Sequence, residues 1–552
     1  MAETLSVIPY PVVGAMDKRI NAPASQNQVY VAEKGASVVT QKNYTTTSYS
    51  NSSFQFSCPP PNDKIFVDRL VKIKVYFSVT TDVDITNGLG SNIGLRQYPF
   101  NSVIETVNCT LNNNQVSVIT GDIIHPLMRY HNSKSREDKV LSTTAAFPDQ
   151  FQSYEQWANP QFGGSARNPF AAYGEQLIQN RGAIRPYNIT NSNKTFYYVV
   201  EEPLFLLSPW LWDEHQHLGF TNLKSLDFNF NLKSNLARLF CTSSLQSPQP
   251  ASITVNFSST GSFPVPSPEL HFQFLTPPLT MRIPNSISYP YYPIERYVTG
   301  SLPVSAGASS QLIGNNIQLN QIPKRIYVYI RTQNSDLFGS TPWVYSDSFA
   351  VITNLNIQFN NLSGILATYS QEDLYEMCRR NGIDMSYKQF SDYVGSVIAI
   401  DPSSDLGLSD IQANGLLGQY NLQIQANFTN NSPNNLTYSM FIVVINEGVL
   451  EIGPTVIAQT GILSKVAILD SQNIPQVDVD MIKYDSEMGG NVFGKLKQFV
   501  NVASKAAEQV GKVGKAYNPE LAVLESIGKV GKELTGGKRY RKTSNGKGLF
   551  GA

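Results

Sequence analysis

Short segments whose apolar residues recur at every second position run through most of this chain, and they limit the folds open to it. In Lys64–Thr80, Val71, Ile73, Val75, Phe77 and Val79 share one side, the mark of a half-buried strand. Val103–Val118 and Ser225–Leu232 repeat the pattern, the latter with Leu226, Phe228 and Phe230 on one face. A second block of such runs begins near Glu269: Leu270–Phe274, Gln311–Leu319, Arg325–Arg331, Ala350–Phe359, Ser396–Ile400, Tyr420–Phe428 and Ser439–Ile445. One internal helix stands out, Gln371–Asn381, with Gly382 placed as its stop. Many short strands between turn clusters favour a sandwich or jelly roll over any α/β fold. The chain has 552 residues. A single core stops growing at roughly 250–300 residues, so more than one is needed.

Composition sharpens this. Charged residues make up 15% of the chain, below the roughly 25% usual for soluble domains. Aromatic, β-branched and turn residues fill the difference, which suits a large all-β protein whose subunits pack against one another. Net charge is zero, but residues 491–552 hold 12 Lys/Arg against 4 Asp/Glu, so a +8 tail follows a −8 body. An acidic partner would bind that tail.

Cys58, Cys109, Cys241 and Cys378 lie far apart in the chain and form no CxxC; buried free thiols in a reducing compartment are expected. The N-terminus shows no signal peptide, and no apolar run approaches the ~18–20 residues of a membrane span.

The organisation expected is an extended arm over residues 1–55, a first all-β block over 56–262 with long loops around 120–195, a second over 263–470, and a tail over 471–552. In the tail, Phe493, Leu496, Phe499, Val500, Ala503, Ala507 and Val510 fall at helical spacing with lysines opposite. Such a segment can pack beneath its own protein, touch a genome through phosphate contacts, or lie on a membrane surface. Its candidate contact residues are Lys495, Lys497, Lys538, Arg539, Arg541, Lys542 and Lys547.

Catalytic and metal signals are weak. Asp213-Glu214-His215-Gln216-His217 is the one metal-like cluster, and without a third ligand it reads as a polar loop. Gly88-x-Gly90-x-x-x-Gly94 has the wrong spacing for a dinucleotide fingerprint. Glu201 and Glu202 are adjacent on a strand, so they point to opposite faces rather than forming an acid/base pair. No catalytic residue, metal or cofactor is expected.

Several ordered stretches resemble the major capsid proteins of double-jelly-roll DNA viruses, those of polinton-like viruses, adintoviruses and virophages above all. The carriers in the first block are Leu95-Arg96-Gln97-Tyr98-Pro99-Phe100, Leu127-Met128-Arg129-Tyr130, Glu202-Pro203-Leu204-Phe205 with Ser208-Pro209-Trp210, and Ala237-Arg238. In the second block they are Phe274-Leu275-Thr276-Pro277, Ile283-Pro284, Tyr289-Pro290-Tyr291, Gln321-Ile322-Pro323-Lys324-Arg325, Phe359-Asn360-Asn361, Leu374-Tyr375 and Asn381-Gly382.

The resemblance implies two consecutive eight-stranded jelly rolls, three chains forming a pseudo-hexameric capsomer, and a shell enclosing viral DNA. Implied partners are the chain itself, penton and minor capsid proteins, and viral DNA or an inner membrane through the tail. Pro99, Pro203, Pro277 and Pro323 would open strands. Leu534-Thr535-Gly536-Gly537 is similar to the sites cut by adenovirus-type cysteine proteases, which implies a maturation cut after Gly537. The rivals are a single-jelly-roll RNA-virus coat protein, a receptor- or glycan-binding protein and a β-sandwich glycosidase. The first would carry an arginine-rich arm, whereas residues 1–55 hold only Lys18, Arg19, Lys34 and Lys42 as basic residues. The second would carry a signal peptide or fibre repeat, and the third paired carboxylates in a cleft.

Overall fold

The computed structural model describes residues 36–460 except 69–70, 86–92, 120–121, 132–185, 193, 205–218, 243–247, 259–262, 279–282, 345–348, 394, 409–413, 433 and 454. Eight principal strands come first: β1 Val38–Thr45, β2 Ser53–Ser57, β3 Val71–Thr81, β4 Ile104–Leu111, β5 Asn114–Ile119, β6 Thr195–Leu204, β7 Leu226–Leu232 and β8 Glu269–Thr276. They form one sheet in the order β1-β8-β3-β6 and a second in the order β2-β7-β4-β5. Eight more follow: β9 Ile294–Val298, β10 Ser309–Ile313, β11 Arg325–Thr332, β12 Val351–Phe359, β13 Leu362–Ile365, β14 Val397–Ile400, β15 Leu417–Thr429 and β16 Leu436–Ile445. Their sheets run β9-β16-β11-β14 and β10-β15-β12-β13. Each strand number is the first set's plus eight, so one jelly-roll winding occurs twice in the polypeptide.

The cores follow from the alternation. In β3 the five predicted residues Val71, Ile73, Val75, Phe77 and Val79 are all fully buried. Opposite them lie Phe54 and Phe56 of β2, Val107 of β4 and Phe230 of β7. Phe54 meets Phe257 edge-on at 4.9 Å and Phe77 stacks on Tyr198 at 5.7 Å, arrangements favoured by the ring quadrupoles.

Four expectations need correction. Val103–Val118 is not one strand but the hairpin β4–β5, because Asn112 and Asn113 take φ of 45° and 69°. Asparagine tolerates that region well enough to make a two-residue turn. Residues 38–57 are not an arm but carry β1 and β2; β1 lacks alternation because it is an edge strand, exposed at seven of its eight positions. Leu270–Phe274, expected to open the second block, lies in β8, which pairs with β1 and β3 of the first sheet. The boundary expected at 262/263 therefore cuts off the strand that joins β1 to β3. Finally, Pro323 does precede β11, but Pro277 follows the last residue of β8, Pro99 is the first residue of helix α1 (Pro99–Val103), and Pro203 lies near the end of β6. At α1 the missing N–H costs nothing, since the first helical N–H has no intrahelical acceptor.

Helix α2 spans Ile124–His131, and α3 spans Gln371–Arg380, the helix expected from the sequence. Ser370 and Asp373 form a reciprocal capping box at the start of α3, and Gly382 stops it at a φ of +104°.

Candidate functional site

β11 breaks the rule that one face of a strand is wet. Its Arg325-Ile-Tyr-Val-Tyr-Ile-Arg-Thr run is buried at every position but the first. Ile326, Val328 and Ile330 occupy one side, and Tyr327, Tyr329 and Arg331 the other. The second side meets residues of the first set of strands: Tyr327 packs against Tyr130, and Tyr329 and Arg331 reach Asp122.

The centre of this junction is Asp122, between β5 and α2, with a side chain only 1% exposed. Lys233, just after β7, places Nζ 2.6 Å from Oδ1. Arg331 Nη2 lies 2.7 Å from the same oxygen, and Arg296 of β9 pairs with Oδ2. Asn334 donates to Oδ2 at 3.2 Å, while the Tyr329 hydroxyl donates to the Asp122 carbonyl. One carboxylate from the first strand set thus gathers two arginines from the second. Desolvating so many charges is expensive, and only their mutual attraction and hydrogen bonds offset it. Burial, followed by the Arg331 charge, pulls the Lys233 ammonium down to about 6. The Glu105 carboxylate opposes this shift, and Lys233 keeps its 2.6 Å contact with Asp122. Burial also pushes the Tyr329 hydroxyl up to about 12, so it stays a donor.

Three further ties flank this hub. Arg96 and Arg238, both fully buried, donate to the Pro342 carbonyl at 2.8 and 3.1 Å, and Asn235 donates to the Gly339 carbonyl. From α2, Arg129 donates to the Gly395 carbonyl at 2.9 Å while its guanidinium lies 4.1 Å from the centre of the Phe349 ring. The third tie is a small sheet of Ile287–Tyr291, Gly448–Ile452 and Val456–Thr460. Its Tyr289, Tyr291, Leu450, Ile452 and Val456 pack into the core of the first strand set. Tyr289 also donates to the Gly219 carbonyl and accepts from the Thr221 N–H.

The sequence-predicted candidates fall elsewhere. Glu201 and Glu202 do face opposite ways. Glu201 pairs with Lys72 at 3.1 Å on the outer face. Glu202 is fully buried and accepts from the Phe100 and Asn101 N–H groups and the Asn101 side chain at 2.7–2.8 Å. Burial outweighs those donors and pushes its carboxyl up to about 7. Asp213–His217, Gly88, Gly90, Gly536, Gly537 and the tail lysines and arginines lie outside the described residues. Among the described residues no cluster of three or more His, Cys, Asp or Glu side chains could hold a metal. All four cysteines are buried, and none forms a disulfide. Asp122, Lys233, Arg296 and Arg331 escaped sequence reasoning because 209 residues separate Asp122 from Arg331. The one local sign is a charged side chain in a run that is otherwise apolar.

Two consecutive jelly rolls of one winding, tied together by buried charges, place the chain in the double-jelly-roll fold class. Comparison with known proteins specifies it. The pattern of the Sputnik virophage major capsid protein first domain matches residues 12–195, and that of the major capsid protein V20 C-terminal domain matches 294–394 and 392–448. The capsid protein V20 of Sputnik virophage is 30% identical over 543 residues, covering 92% of this chain and 88% of the relative. A chain of the Sputnik virophage solved by cryo-EM superposes with a TM-score of 0.74 at 28% identity, covering 87% of this chain and 99% of that one. The mavirus major capsid protein shares the fold, with a TM-score of 0.64 at 16% identity over 83% of this chain and 98% of that one. The chain belongs to the virophage major capsid protein family. It is a structural component of the virion capsid and not an enzyme.

Proposed function

We propose that three copies of this chain form a pseudo-hexagonal capsomer that tiles an icosahedral shell around viral DNA. The observation that carries it is the strand order repeated within one polypeptide, since two similar lobes per chain give a trimer six nearly equivalent sides. In this reading residues 36–276 and 287–460 are the two lobes, and the Asp122 hub fixes the angle between them. Negative-stain electron microscopy of the purified chain tests it. Six-lobed trimers are expected, and monomers or five-fold clusters would refute the arrangement.

Penton and minor capsid proteins would meet the capsomer at its rim. The basic tail would face inward, with Lys495, Lys497, Lys538, Arg539, Arg541, Lys542 and Lys547 contacting DNA phosphates or an inner membrane. Binding of full-length chain to DNA and to anionic vesicles, compared with a chain ending at residue 490, separates these outcomes. A cut after Gly537 would release the last basic cluster, and mass spectrometry of capsids from purified virions would find that end or the intact Ala552.

A further inference from the structure

A β-sheet ends in a row of backbone donors and acceptors that something must satisfy, and the sheets β1-β8-β3-β6 and β9-β16-β11-β14 differ at their four ends. Beyond β6 lies the short strand Asn188–Thr190. The outer edge of β14 is plugged by side chains. Tyr130 donates to the Val397 carbonyl at 2.6 Å and accepts from the Ala399 N–H at 3.1 Å, and Asn381 donates to the Ala399 carbonyl at 2.8 Å. β9 sits at the junction, where Arg296 reaches Asp122. β1, at eight residues, is the longest strand at a sheet end with nothing paired to its far side among the described residues.

β1 is long and regular, in register with β8 from Val38 to Thr45. Val38 and Val39 are 54% and 51% exposed, two of the most exposed large apolar residues in the described chain. Its phase is set by the Thr46 N–H, which donates to the Pro268 carbonyl. Alternation then turns the amides of Thr40, Lys42 and Tyr44 toward β8, and those of Val39, Gln41 and Asn43 outward. Soluble proteins blunt such an edge with prolines, bulges or clustered charge, and β1 carries only Lys42.

We propose that the outward edge of β1 is a strand-addition site, filled by an extended segment of a second copy of this chain. A second copy is the occupant because self-association into a lattice is what this family does, and an edge left bare in the separate chain is satisfied only on assembly. The proposal rests on the capsid reading, and its test starts from wild-type material already shown to assemble, so failure of the two can be told apart.

Proline at 41 or 43 deletes an outward donor, whereas proline at 42 deletes one facing β8. Gln41→Pro and Asn43→Pro in the full chain should melt close to wild type yet weaken assembly about tenfold, the worth of a lost hydrogen bond. Lys42→Pro should lower the melting temperature instead. Amide exchange followed by mass spectrometry supplies a readout independent of substitution. In the wild-type chain the peptide covering 38–45 should exchange its outward amides freely when dissociated and slowly when assembled. Assembly of both outward variants at wild-type strength would overturn the proposal. So would protection already complete in the dissociated chain, because its own residues would then cover the edge, and so would exchange that assembly leaves unchanged.

Discussion

The two strand sets share one winding but not one environment. β3 of the first alternates over most of its length, with Val71 to Val79 inward, Lys72 exposed and Lys74 and Tyr76 half-buried opposite them. Its counterpart β11 puts Tyr327, Tyr329 and Arg331 where β3 has water-facing residues, and all three are buried. The difference shows that a repeat of topology is not a repeat of surface. One sandwich is bounded by solvent, and the other spends an outer face on its neighbour.

The sharpest way to break this comparison is Asp122→Ala. It leaves Lys233, Arg296 and Arg331 facing one another without their carboxylate, and removing one partner of a buried ion pair costs about 3–5 kcal/mol. Differential scanning calorimetry should show the single wild-type transition fall and divide in two as the sandwiches uncouple. One undivided transition at the wild-type temperature would mean the hub does not couple them.

Glu202 is the first sandwich's own buried charge, and its effect should follow pH. Its carboxyl lies near 7 when folded, against an ordinary value of 4.5. The folded state therefore holds the extra proton between those values. Its contribution is fully present below about 4.5 and is lost as pH rises through 7, by about 3 kcal/mol in all. Urea midpoints of wild type should decline across that window, and Glu202→Gln should flatten the decline. An equal slope in both proteins would assign the dependence to other groups.

Tyr329→Phe removes one hydroxyl from the junction while keeping the ring stacked on Phe441. A loss of about 1 kcal/mol is expected, with an orphaned Asp122 carbonyl as its cause. Phe77→Tyr in β3 supplies the contrast, because there a hydroxyl enters an apolar core and should cost more, about 1–3 kcal/mol. The smallest effect belongs to α3. Ser370→Ala opens its exposed capping box and should lower stability by about 0.5 kcal/mol, the low end for a lost cap, without altering assembly.

Legibility in the sequence followed the same division. Strands with one wet face announced themselves, β3 and β7 most clearly, and so did α3 through Ser370, Asp373 and Gly382. Two kinds of strand were hidden. β1 buries only Tyr44, so its residues show no period and read as part of an arm. β8 was visible as a strand but not as the partner of β1, because pairing is settled by contacts more than 200 residues apart in the chain. The junction was the least legible part. A lone Asp122 or Arg331 carries no local signature, and only the fold brings their charges within reach of each other.

The buried outer side of β11 also bears on how the chain is made. Until the earlier strands have closed, Tyr327 and Tyr329 would present an adhesive surface to any passing protein, and misassembly between domains is the usual hazard of multidomain chains. A ribosome delivers the N-terminal sandwich first, so the mould exists before the part that needs it emerges. A circular permutant that began at residue 287 would reverse this order, and more of its nascent product should be lost to aggregates, though the finished contacts are the same.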